Sequence, residues 1–185
     1  GTFPDTTEAT TTIASLKTLT LAASLASGEI FTGAGTTAIT ALDADANATL
    51  AKVNSNTVTI AVSDDVTFVG TFPDTTEATT TIASLKTLTL AASLASGEII
   101  NGDGTTAITA LNDDADADLS NINTNTATIS VSGDVTFVGT FPASTSTSTT
   151  VDNLKTLTLS DNLITDVTPF FLLESLKNLA SIDIA

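Results

Sequence analysis

The chain carries 21 acidic residues against five lysines in 185 positions, a formal charge of −16 at pH 7, and contains no Cys, His, Trp, Tyr, Met or Arg. That alphabet excludes disulfide staples, imidazole or thiolate nucleophiles, zinc cages and arginine phosphate clamps, and its charge opposes nucleic acid and anionic lipid as partners. No apolar run reaches the roughly 18 residues of a membrane-spanning helix, so no membrane insertion is expected.

Residues 1–30 (GTFPDTTEATTTIASLKTLTLAASLASGEI) recur unchanged at 70–99, and an edited third copy opens at Gly139. The three copies thus open at Gly1, Gly70 and Gly139, at one constant offset, and the more divergent second halves of the units keep it without insertion or deletion. A fixed register with drifting residues is what stacking requires, because each unit must present its strands where its neighbour can pair with them. The units are 1–69, 70–138 and a partial 139–185, expected to form one continuous solenoid. The chain begins inside a unit and stops just after the strand-like SIDIA, so it is expected to be a segment of something longer.

In the first unit, strand-like segments fall at 16–21 (LKTLTL), 38–42 (AITAL), 57–62 (TVTIAV) and 66–72 (VTFVGTF). Each alternates apolar residues with Thr, Ser or Ala, the period of a strand with one buried face. Turn signals separate them at Ser27-Gly28, Gly33-Ala34-Gly35, Asn54-Ser55-Asn56 and Asp64-Asp65. This spacing gives three coils per unit. The expected fold is therefore an all-β, single-stranded β-solenoid, with tandem small β-sandwich domains as the alternative. Leu19, Leu21, Phe68 and Phe72, with their equivalents Leu88, Leu90, Phe137 and Phe141 and the third-copy Leu157 and Leu159, are candidate core residues.

The final segment is the most distinctive. Val151, Leu154, Leu157 and Leu159 followed by Asn162 reproduce the frame L-x-x-L-x-x-L-x-L-x-x-N, and a second frame follows at Leu176, Leu179, Ile182 and Ile184. Residues 151–185 thereby resemble an internalin-like bacterial leucine-rich repeat, with an FFLLE insertion lengthening the offset between frames. The resemblance implies leucines pointing inward from short strands and a face that binds a host or surface protein or a glycan. Ile13, Leu16, Leu19 and Leu21, and likewise Ile82, Leu85, Leu88 and Leu90, use the same frame, with Ser24 and Ser93 in place of the Asn. The other strand segments are similar in composition to low-complexity repeats of large bacterial surface proteins.

Two further patterns bear on chemistry. Asp43, Asp45 and Asn47, and Asp114, Asp116 and Asp118, have the alternating spacing of a calcium loop. The sixth position is Ala48 or Leu119 where an EF-hand needs Gly, the twelfth is Asn54 or Asn125 where it needs Glu, and the two clusters are out of register with the repeat. Solvated acidic turns compete with a calcium site as the reading of these residues. The T-x-T pairs Thr18/Thr20, Thr57/Thr59, Thr87/Thr89, Thr126/Thr128 and Thr156/Thr158 resemble the arrays of ice-binding solenoids, although AITAL lacks the pair. Catalysis is not expected: a carboxylate pair has no Trp or Tyr beside it as a sugar-stacking platform, and Lys17, Lys86 and Lys155 recur in step with the repeat, as solvated structural positions do. The function expected is a structural or adhesive segment of an extracellular, cell-surface repeat protein that self-associates end to end or laterally into a filament or layer.

Overall fold

In the computed structural model the described residues are 9–75, 78–152 and 155–159. The first unit contributes β1 (Thr10–Thr12), β2 (Thr18–Ala22), the single helical turn α1 (Ala23–Ala26), β3 (Ile30–Thr40), a 3-10 turn (Leu42–Ala44), β4 (Val53–Val62) and β5 (Val66–Thr67). The second repeats this order with β6 (Ala78–Ile82), β7 (Thr87–Ala91), α2 (Ala92–Ala95), β8 (Ile99–Thr109), a 3-10 turn (Leu111–Asp113), β9 (Ile122–Val131) and β10 (Val135–Phe137). The third supplies β11 (Ser146–Val151) and β12 (Leu157–Leu159).

All pairings between described strands are parallel. Thr10 pairs with Ile30, Thr18 with Thr36, Phe31 with Val53 and Val58 with Ala78, so the chain returns beside itself after eighteen to twenty-two positions. The result is a β-solenoid of about seven turns. A tandem of sandwiches is thereby replaced by one stack: β4 of the first unit pairs with β6 of the second in the same way that strands pair within a unit. Three turns per unit hold as expected.

The alternation seen in the sequence sets which side chains enter the core. Val53, Ser55, Val58, Ile60 and Val62 of β4 point inward and are buried, whereas Asn54, Asn56, Thr59 and Ala61 face solvent. Inward ranks run from turn to turn, as in Ile39, Ile60, Thr80 and Ile100. At the corners after β2 and β7, Ala23, Ala26, Ala92 and Ala95 are fully buried, and only such small side chains let the backbone turn this close to the core. Phe68 and Phe137 fill the interior and meet Phe72 and Phe141 at ring-centroid distances of 4.7 and 4.9 Å.

Several expectations change in detail. Gly33-Ala34-Gly35 and Asn54-Ser55-Asn56 are not turns but lie inside β3 and β4. The glycines are there because the previous turn crosses closely: Gly33 has φ +108°, and a Cβ on it would collide with the Ile13 carbonyl oxygen. Ser55 is accommodated because its hydroxyl is 2.7 Å from that of Thr37, both buried, and donates to the Thr57 carbonyl at 3.0 Å. The threonine-rich segments at β1, β6 and β11 are strands that apolar alternation did not mark. Only Val66 and Thr67 of 66–72 form strand. Leu16 and Leu85 are the clearest departure from the leucine-rich-repeat frame. Both have left-handed backbone (φ 59° and 61°) and are 97% and 93% exposed, because they sit in the turns 14–17 and 83–86 that loop out over the glycine bulges. Ser24 and Ser93 lie in α1 and α2. Leu154, Asn162 and the frame from Leu176 to Ile184 lie outside the described residues.

Two mutations test this packing. A Cβ on Gly139 would collide with the Ala117 carbonyl oxygen and stand 2.7 Å from the Phe137 ring. Gly139→Ala is expected to lower stability by about 2 kcal/mol in denaturant titrations. The Thr147 hydroxyl is buried without a hydrogen-bond partner, at the position that Ala78 fills one unit earlier. Thr147→Val is expected to raise stability by about 1 kcal/mol, and a loss would show that the hydroxyl is satisfied in solution.

Candidate functional site

The charged residues and the strands occupy different parts of the molecule. Among the twelve described strands, Asp103 in the β8 bulge is the one charged residue. The other described charges lie in corners and turns, and several of them bond to the next turn of the solenoid.

At the corner after β3, Asp43 accepts the Ser63 N–H and O–H at 3.2 and 2.9 Å across one turn. Asn112, its equivalent in the second unit, accepts the Ser132 hydroxyl at 3.1 Å. A neutral amide thus performs the same bond, so the contact is a clasp between turns that needs an acceptor oxygen and no charge. Asp45 caps a local turn, accepting the Asn47 N–H at 3.3 Å. Asp118 accepts the Ser120 N–H and O–H at 3.1 and 2.7 Å and the Thr140 hydroxyl of the next turn. These bonds, led by that of Thr140, hold its carboxyl below the usual range. Asp114 and Asp116 are brought together, and burial, reinforced by the Asp116 carboxylate, pushes Asp114 up.

The calcium-type pattern is therefore placed as follows. Asp43, Asp118 and Asp45 point into hydrogen bonds with Ser63, with Ser120 and Thr140, and with Asn47 respectively, and the structure joins only Asp114 to Asp116. Among the described residues no group of three or more acidic side chains converges as a metal cage would require. The first cluster begins in the 3-10 turn Leu42–Ala44, and the second follows the 3-10 turn Leu111–Asp113.

Sequence reasoning missed the carboxylates that do repeat. Asp65 accepts the Thr87 N–H at 2.7 Å, and its equivalent one unit later, Asp134, accepts that of Thr156 at 2.8 Å. Ser27 and Ser96 likewise accept the N–H groups of Thr49 and Asp118, both at 2.9 Å. Residues identical across the offset were the available signal. Lys86 pairs with Asp64 at 2.7 Å on the exposed surface, which raises the lysine and lowers the carboxyl. Gly133 stands at that carboxyl's place one unit later, so the pair is not part of the repeat.

The second surface is the outward side of the strands. On β7, β8, β9 and β11, Thr87, Thr105, Thr126 and Ser146 are successive partners in one rank, and Thr89, Ala107, Thr128 and Ser148 in the next. The first unit builds a smaller field with Thr18, Thr36 and Thr57 beside Thr20, Ala38 and Thr59. The gap expected at AITAL is thus a single alanine, since Thr36 and Thr105 supply the other hydroxyl.

Glu98, just before β8, is partly buried, and the lost hydration raises its carboxyl to about 7 from an ordinary value of 4.5. The native state therefore holds this proton more tightly than the unfolded chain. Its contribution is complete below pH 4.5 and is lost as pH rises through about 7. Thermal midpoints measured from pH 4 to 9 should fall over that window, and Glu98→Gln should flatten the fall; an unchanged slope would assign the pH dependence elsewhere.

No protein family, no curated protein and no solved structure matches this chain. Among the described residues no helix is long and apolar enough to cross a membrane.

Proposed function

We propose that the chain is a segment of a rigid structural shaft in an extracellular, cell-surface repeat protein. The observation that carries this reading is the junction between units. Val58 to Val62 pair with Ala78 to Ile82 across it, with the same parallel geometry and turn length as inside a unit. A stack without a hinge transmits length and stiffness, the properties of a stalk or filament, and the sequence has no His or Cys for an ordinary catalytic triad or a zinc site. Self-association end to end or side by side would extend the shaft into a filament or layer, and adhesion would follow from whatever the shaft displays.

A second reading, a module that binds a protein or glycan, is favoured by Leu16 and Leu85. A leucine held in left-handed backbone and almost wholly in water costs stability that the fold itself does not recover. Leu85→Ser is expected to leave the fold unchanged and to weaken binding to surface proteins or glycans, read by titration against an array of both.

The shaft is tested by its length. Inserting one more copy of 70–138 adds three turns, so the maximum dimension in small-angle X-ray scattering should grow by about 14 Å with no change in cross-section. Scattering typical of beads on a flexible tether would end the proposal. A chelator should leave the length unchanged, because the turns described above are closed by hydrogen bonds; shortening would identify the Asp-rich corners as metal ligands.

A further inference from the structure

We infer that the outward hydroxyl ranks of β7, β8, β9 and β11, with the smaller field of β2, β3 and β4, form a surface that binds ice. The inference is independent of the shaft reading. It begins from charge: a chain of formal charge −16 keeps every charged residue but Asp103 out of its described strands. Solubility alone would favour the opposite, since outward strand positions are where charges blunt association at least cost. A neutral face on so acidic a molecule fits a neutral partner.

The chemistry of the face narrows that partner. The sequence contains no Trp, Tyr or Arg, the side chains that anchor protein interfaces, and the two aromatic types that most often carry sugar stacking are among them. What the larger face offers is a hydroxyl at every rank position but Ala107, with a methyl beside it wherever the residue is threonine and not Ser146 or Ser148. Its regularity comes from the backbone. Ranks on successive turns are held about 4.8 Å apart by the parallel ladder, and alternate residues along a strand stand about 6.7 Å apart. Because β-branched threonine has few χ1 rotamers, its oxygen inherits that lattice with little freedom. Each hydroxyl donates once and accepts twice, so water bound to two neighbouring ranks is placed in a plane at fixed spacings. Liquid water gains nothing from such a template, whereas a crystal face of water repeats in two dimensions and can meet many hydroxyls at once. The parallel ladders beneath the face limit its distortion when it does so.

The interruptions also fit. Ala107 leaves a methyl where a hydroxyl would stand and adds no bulk above the plane. The turns that protrude, 14–17 and 83–86, lie over the glycine bulges at the side of each field and not within its ranks.

The test uses the whole chain and ice itself. In a nanolitre osmometer the protein is expected to hold a seed crystal without growth below its melting point and to facet it, and to inhibit recrystallisation in frozen sucrose. Thr126→Lys, at the centre of the larger field, should lose most of both effects with an unchanged circular dichroism spectrum, while Asn47→Lys in an acidic corner should keep them. Should Thr126→Lys fail to fold, Ala107→Thr completes the rank and is expected to widen the freezing gap. Absence of both effects in the unmodified protein overturns the inference. So does full activity in folded Thr126→Lys, as does retention on crystalline cellulose without any effect on ice, which would make a polysaccharide the occupant.

Discussion

Everything in this molecule depends on one requirement: each turn must bring the backbone back beside itself, in register, after eighteen to twenty-two positions. Parallel pairing satisfies the N–H and C=O groups of strands buried on one face, and among the described residues no antiparallel hairpin does it locally. The core follows from that closure. Its width suits Leu, Ile, Val and Phe, its helical-turn corners bury Ala, and where two backbones cross too closely for a Cβ the residue is glycine, as at Gly33 and Gly70. The helical turns are too short to contribute stability of their own and act as corners whose geometry the sheet dictates.

The same closure creates an electrostatic difficulty. Corners stacked one strand spacing apart bring their carboxylates close together, and like charges at that distance repel. The structure answers by giving many of them a donor on the next turn: Ser63 for Asp43, Thr87 for Asp65, Thr140 for Asp118 and Thr156 for Asp134. A hydrogen bond to a charged acceptor is stronger than one between neutral groups, so the acids help to fasten successive turns. Asn112 in place of Asp43 shows that the geometry comes first and the charge second. The strands, with Asp103 their one described charge, are left free of this problem.

The sequence made the architecture legible because its strongest signal, the constant offset between copies, is a property of the stack itself. Alternation then located the cores of β2, β3, β4, β7, β8 and β9. It failed at β1, β6 and β11, where threonine occupies both faces and apolar periodicity vanishes although β-branching still favours the strand. Glycine and asparagine misled in the opposite direction. In a solenoid, Gly33 answers a close approach by a residue twenty positions earlier, and Asn54 simply faces water on a strand, so neither marks a turn. The hydroxyl ranks were visible as T-x-T pairs, but their continuity was not, because Thr36 precedes the segment that looked broken and only the register shows it opposite Thr18 and Thr57. Leu16 fits the leucine-rich-repeat frame because spacing cannot distinguish an inward leucine from one carried outward by a loop of two extra residues.

Residues 1–30 and 70–99 are the same, yet strands β6 and β7 are paired on both sides while β1 and β2 are paired only to β3. The unit is therefore interchangeable between neighbours, and a gene encoding it can recombine with itself between any two copies. Crossing-over that gains or loses whole units preserves every ladder bond, clasp and glycine crossing, whereas an insertion of another length breaks the register at once. Selection can thus change the reach of the protein in steps of about 14 Å without evolving a single new contact.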